Sequence, residues 1–390
     1  MLTNLLSGFP DPVVAVLGLL VIISVLVIAH ELGHFIAARL LGVGVEEFAL
    51  GLPFTKPLWT KITKKGLKIS VYPALFGGFV RLMGEERSEM EKPKLKKGQK
   101  LEEQFWAQPV WRRFLIIVAG VTANVIFAVV AFSVIYFFTG IPKESSNVRI
   151  IGVVSGSPAD SAGIKVGDVV IGIEVKEKLG GLKVGKAMTS TEGFINFVDQ
   201  NRGKTLDIQI KRDGKELQLN AVPRINPPQG EGALGVGITT TEMVFLPFPQ
   251  MLVSSVQNGV KETKQWVQLT VLGTANVFKE LFSGKVPADV GGPLRIAQVS
   301  VVVAKEGAIT ILSFLGILSI NLAVINIIPF PALDGGHALF LIIEAIFGRR
   351  VAPKLEHWIH TAGLVILLFL VILISIRDAG SILGESGILK

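Results

Sequence analysis

Two histidines and a glutamate stand inside an apolar run, "VLVIAHELGHFIAARLLG", residues 25 to 42. His30 and His34 are four apart, so on a helix they share one face. Two imidazoles so placed can both reach one zinc ion at about 2.0 to 2.1 Å. Glu31, beside His30, completes the HExxH spacing, in which the glutamate is the general base that takes a proton from the attacking water. Ionisable groups within a membrane span cost at least a few kcal/mol on insertion scales and mark function. The chain has no cysteine, so a metal here is held by His, Asp or Glu.

A catalytic zinc takes a third protein ligand and keeps one position open. Arg39 follows His34 by five residues and His30 by nine. At 1.5 Å per residue the site therefore lies roughly 7 to 14 Å inside the cytoplasmic end of the helix. Only the inner half of another span can meet it. The segment "INLAVINIIPFPALDGGHALF", 320 to 340, supplies one: Pro329 and Pro331 break the helix, and Gly335-Gly336 free the backbone. That break presents Asp334, the expected third ligand. His337 is the competing candidate, otherwise a support of the following helix, while His357 and His360 fall at the start of the last span as interfacial groups.

The elements that must hold these residues follow from composition. Half of the 390 residues are hydrophobic and 18% are charged, the profile of an integral membrane protein with room for a water-exposed domain. Four stretches approach the roughly 20 residues that cross a bilayer, at 13–36, 113–138, 308–330 and 361–376. The first lacks the basic start and small-residue cleavage site of a signal peptide and reads as a retained helix. Between Arg39 and Arg113 lie 15 Lys and Arg against 8 Glu, whereas residues 1 to 12 hold no Lys or Arg. The positive-inside rule then puts the first loop in the cytoplasm and both termini outside. The basic run "KPKLKKGQK", 92 to 100, reads as a solvated loop touching anionic lipid, with no nucleic-acid partner.

Between residues 45 and 84, strand-like runs punctuated by Gly and Pro suggest a hairpin dipping into the cytoplasmic face. Such backbone is tolerated at membrane depth only where protein or a wet cavity satisfies its amides. Residues of about 140 to 305 fall outside the cytoplasm. Within them, 150 to 173 alternates β-favouring residues with turn signals, "TEGFINFVDQ" reads as a capped helix, and 205 to 222 reads as a hairpin closed by Asp213-Gly214. The order SPA, AGI, GD and an apolar strand resembles a PDZ domain over 147–226. Residues 250 to 282 mix apolar with polar side chains and read as helices on the outer membrane surface.

Taken in order, HELGH on the first span, N-x-x-P-x-P-x-L-D-G-G-H on the third, "GGFVRLMGE" in the first loop, "GGPLRIAQ" at 291–298 and the PDZ-like domain resemble the site-2 protease family, of the bacterial regulator-of-sigma-E protease type. The resemblance implies zinc at His30, His34 and Asp334, with Glu31 as catalytic base. It implies contact of Asn326 with substrate or the reacting carbonyl, and β-addition of an unwound substrate to the strand near 68–82 that carries Gly77, Gly78 and Phe79. Clients would be single-pass membrane proteins, such as anti-sigma factors and signal-peptide remnants, in the bacterial inner membrane. The PDZ-like domain would screen them by size or by a new C-terminus.

One departure is "AGVTAN", where relatives tend to have Gly-Pro before the asparagine. It leaves Asn124 either an interhelical hydrogen-bonding group or a substrate contact. The expected architecture is a polytopic α-helical membrane protein with about four transmembrane helices, a membrane-associated β-hairpin or sheet on the cytoplasmic side, and an extracytoplasmic PDZ-like α+β domain. Its parts are 1–140, 147–226, the surface helices of 240–300, and 301–390. Two other functions compete: a PDZ scaffold without catalysis, indifferent to Glu31→Gln, and a metal transporter, whose flux would survive that substitution.

Overall fold

A computed structural model describes residues 11–64, 66–85, 100–176, 185–187, 190–284 and 291–385. Of the basic run expected to touch lipid, residues 92–99 lie outside them, as do residues 1–10. The chain forms two compact units, Met1–Phe138 with Leu252–Lys390, and Thr139–Met251.

In the first unit, helix α1 (Asp11–Leu40) has no charged side chain between Asp11 and Glu31 and ends with Arg39 in its last turn. Gly42, at φ 80°, takes the left-handed conformation that terminates it. Four strands follow: β1 (Val45–Leu52), β2 (Trp59–Ile62), β3 (Lys68–Val71) and β4 (Ala74–Leu82). They make one sheet in the order β2-β3-β1-β4. The β1–β3 pair is parallel, with Glu47 opposite Lys68 and Leu50 opposite Val71, and β1–β4 is antiparallel. The segment is thus a mixed four-stranded sheet rather than a hairpin. A parallel pair needs a crossover, here supplied by β2, and alternation of residues along one strand does not reveal its partner.

Residues at alternate positions of β1 are buried. Among them is Glu47, whose carboxylate accepts from Ser70 Oγ at 2.5 Å and Tyr72 OH at 3.1 Å and pairs with Arg81 at 3.5 Å. A buried charge is tolerated only with such partners. β4 lies against α1: Ser24 Oγ donates to Leu75 O at 3.2 Å, and a Cβ on Gly78 would stand 2.8 Å from Val27 Cγ1.

Helix α2 (Val110–Thr139) packs on α1 through small residues. A Cβ on Gly33 would meet the Ala119 carbonyl and the Ala123 methyl, so the two backbones approach closely.

In the second unit, β5 (Ile141–Val153), helix α3 (Pro158–Ser161), β6 (Val169–Val175), β7 (Gly185–Ala187), helix α4 (Thr191–Gln200), β8 (Leu206–Arg212), β9 (Lys215–Ala221) and β10 (Val236–Val244) form an α+β fold. Its sheet runs β10-β5-β6-β8-β9, with β7 on β6. Phe194 and Val198, four apart on α4, join Ile150, Val170, Ile173, Leu206, Ile208 and Ile210 in the core. The Ser190 hydroxyl accepts from Gly193 N–H and caps α4, and Asp213 and Gly214, at φ 50° and 80°, form the expected tight turn. The unit extends beyond 147–226 at both ends because β10 pairs antiparallel with the start of β5.

The chain returns to the first unit through helix α5 (Gln250–Phe282) and helix α6 (Pro293–Glu306), then helices α7 (Ala308–Ile327), α8 (Asp334–Phe347) and α9 (Pro353–Glu385). Glu262 of α5 accepts from Tyr136 OH of α2 at 3.0 Å, and Thr270 Oγ1 donates to Asn321 Oδ1 of α7 at 2.8 Å. Ala128, Phe132, Ile320 and Val324 form a buried cluster between α2 and α7. Among the described residues, four helices are long and apolar enough to cross a membrane: Ala15–Leu40, Val110–Thr139, Ala308–Ile327 and Lys354–Ser381. These match the four expected stretches in place, and the last extends several residues past the sequence reading at both ends.

Candidate metal centre

α1, α2 and the start of α8 build the site. His30 Nε2 lies 3.0 Å from Asp334 Oδ2, His34 Nε2 lies 3.4 Å from the same oxygen, and the two Nε2 atoms are 3.2 Å apart. Ligand atoms held tetrahedrally at about 2.0 to 2.1 Å from a zinc ion stand roughly 3.3 to 3.4 Å from one another. The three atoms therefore have the mutual spacing of one ion's ligands. Asp334 Oδ2 is buried and accepts no well-directed hydrogen bond, although both imidazole nitrogens are within reach. If both Nε2 atoms carry lone pairs, three acceptors meet with no proton between them, an arrangement that a cation satisfies.

The far side of each imidazole sets its tautomer. His34 Nδ1 donates to the Ile116 carbonyl at 2.8 Å, which leaves the Nε2 lone pair free. His30 Nδ1 lies 3.1 Å from the side-chain amide of Asn124, a residue with no exposed surface. The amide oxygen has no other partner. With that oxygen turned to the ring, which the amide's near-symmetry allows, His30 Nδ1 donates and its Nε2 is also free. Asn124 is thus an interhelical partner of His30, and its backbone carbonyl accepts from Ser319 Oγ of α7 at 2.9 Å.

Gly120 completes the fit. A Cβ there would collide with His34 Nε2 and with the ring carbons of both histidines. The sequence reading missed Gly120 and the Ile116 carbonyl; the glycine in "AGVTAN" was the available signal.

Glu31, His34, Phe79, Arg113, Asp334, His337 and His360 share the walls of one cleft of about 990 Å³. Val80 lines the same cleft as Glu31, which puts β4 next to that carboxylate. A Cβ on Gly78 would be 3.7 Å from Glu31 Cγ, while Gly77 faces the Leu52 side chain. Phe79 packs near Tyr72 and under Arg81. Asn326 is half-buried on the last turn of α7 and is not among the residues lining the cleft. His337 stands off the three-atom cluster, with Nδ1 3.7 Å from Glu356 and its ring stacked on His360 at 3.8 Å.

At the other end of the cleft, Glu344 binds Arg113 and, at 3.1 Å, Arg350. Burial alone would raise its carboxyl, but the two guanidiniums outweigh this and hold it below the usual carboxylate range.

Residues 18–370 match the sequence profile of peptidase family M50. The chain belongs to that family, the site-2 proteases. A protein of Clostridium perfringens named as a putative zinc metalloprotease is 31% identical over 91% of this chain and 95% of its own length. Similarly named proteins of Nostoc and Brucella suis are 29% identical over 93% and 95%, and 30% identical over 90% and 92%. This member is accordingly a zinc metalloprotease, and its four apolar helices are those of a membrane protein.

Proposed function

We propose that this M50 peptidase cuts peptide bonds within the membrane-spanning segments of single-pass proteins. The observation that carries the reading is the convergence of His30 and His34, on a helix apolar enough to cross a bilayer, with Asp334 at the start of α8, beside a strand edge. When bound, zinc supplies Lewis-acid stabilisation of the developing negative charge. Glu31 takes the proton of the attacking water and passes it to the leaving amine. The apolar surroundings strengthen both effects.

A helical peptide bond is sheathed by its own hydrogen bonds, so the substrate must open first. β4 suits that step, since β1 occupies one of its edges and no described strand occupies the other. An extended segment adds there by main-chain bonds, past Gly77, Gly78 and Phe79, and the N–H and C=O groups it exposes are satisfied within the apolar layer. The family resemblance gives Asn326, which stands outside the cleft lining, a contact with the substrate or the reacting carbonyl. The second unit acts as a PDZ-like filter outside the cytoplasm, with the first loop inside and both termini out, and clients are of the anti-sigma-factor or signal-peptide-remnant kind.

Purified full-length protein incubated with a model single-pass substrate, with and without a zinc chelator, tests this by mass spectrometry of the products. A cut inside the apolar segment that the chelator abolishes is expected. Glu31→Gln should lower the rate at least a hundredfold while the protein keeps its zinc. Cleavage only in water-exposed loops, or full activity of Glu31→Gln, would overturn the reading.

A further inference from the structure

Phe330-Pro331-Ala332-Leu333 joins α7 to α8 and ends one residue before Asp334. Leu333 N–H donates to Phe330 O at 3.2 Å, closing a β-turn. Proline fixes φ near −65° at the second position, and Ala332 has φ 75° at the third. That combination is a type II turn, whose third position favours Gly or Asn because an L side chain is strained there. A flip of the Pro331–Ala332 peptide would give the type I turn, with Ala332 at negative φ and unstrained. Local preference thus points to one turn and the structure holds the other.

The last span selects it. Ala332 N–H donates to His360 Nδ1 at 3.0 Å, an orientation the flipped peptide would lose. Three residues on, Gly363 makes room for the Pro331 carbonyl: a Cβ there would collide with Pro331 Cβ and lie 2.6 Å from its oxygen. The His360 ring is held by stacking on His337 and by Phe340, with centroids 3.8 and 5.4 Å away. Because Nδ1 accepts, the ring proton is on Nε2, and that atom is buried with no partner among the described residues. A ring present only to fill space has no need to leave a buried donor unsatisfied.

We infer that His360, assisted by Gly363, is a positioning residue for the metal centre. It holds the type II turn, and the turn sets the start of α8 so that Asp334 meets His30 and His34. Leu333 carries the constraint forward, since its carbonyl accepts from Gly336 and His337 in the first turn of α8. The inference rests on the reading of Asp334 as the third ligand.

The experiment measures zinc affinity by chelator competition in purified full-length protein, together with the visible absorption of its cobalt-substituted form. His360→Phe keeps a ring to stack and removes the acceptor; zinc binding should weaken about 10- to 100-fold, the usual effect of losing an outer-shell partner. The cobalt bands should change in the same sense as in Asp334→Asn. His360→Asn, whose Oδ1 sits two bonds from Cβ as Nδ1 does, should restore most of the loss. Ala332→Gly should be neutral alone and should rescue His360→Phe, because glycine takes φ 75° without strain.

Packing alone would not produce that rescue. If His360→Phe fails to accumulate, His360→Gln, whose amide reaches the place of the other ring nitrogen, is read the same way. Wild-type zinc affinity in His360→Phe, or no rescue by Ala332→Gly, overturns the positioning role. Wild-type affinity in Asp334→Asn overturns the ligand assignment instead.

Discussion

Gly120 illustrates how much of this centre depends on atoms that are not there. Its missing Cβ is the space occupied by the edge of His34 and the Cε1 of His30. Gly120→Ala should therefore weaken zinc binding at least tenfold, as read by chelator competition, while a helix interior otherwise gains up to about 1 kcal/mol from alanine. Lower metal affinity without lower thermal stability would identify a steric effect on the ligands. His30, Glu31 and His34 were legible in the sequence because their spacing on a helix fixes a shared face. Asp334 was legible because prolines and glycines break a span at a calculable depth. Gly120 was not, and Asn124 was narrowed only to an interhelical hydrogen bond or a substrate contact: a small or polar residue in an apolar helix looks the same whether it faces lipid, another helix or a metal ligand.

Among the elements, β4 carries the most testable role. Gly78→Val would press on Val27 and on the Ala49 carbonyl, 2.8 and 2.9 Å from the new Cβ, and would move the strand off Glu31. Cleavage should fall at least tenfold with zinc content unchanged, measured as kcat/KM beside metal analysis. The helix over 191–200 and the Asp213-Gly214 hairpin were readable from caps and turn residues, which are local signals. The parallel β1–β3 pair and the addition of β10 to β5 were not, because strand partners distant in sequence leave no periodicity behind.

A second element-scale device lies in the second unit. Asp168, 1% exposed, accepts from Arg212 Nε and Nη2 at 2.7 Å each and from Lys165 N–H at 2.8 Å. Burial opposes its ionisation, but these donors outweigh it and hold the carboxyl below its ordinary value. Its contribution to stability is complete above the unfolded pKa of about 3.9 and is lost as pH falls through the folded value. Hydrogen exchange of β8 in the full chain, corrected for intrinsic rates, should show protection falling with acid, and Asp168→Asn should flatten that dependence.

For the whole molecule, the four apolar helices are unequally enclosed: 33% of the apolar window in α2 is buried by protein, against 6% in α9. Ile366, 51% exposed on α9, faces outward. Ile366→Arg should disfavour insertion by about 3 to 4 kcal/mol, seen as a smaller membrane-inserted fraction in a topology-reporter assay. The number of spans was readable because bilayer thickness dictates their length. Their neighbours were not, because shape rather than polarity decides which apolar helices meet. Gly33 seated on the Ala119 backbone and Gly120 beneath both imidazoles make α1 and α2 a doorpost. Nothing passes between those two helices without dismantling the centre itself, so a client must come in on a different side.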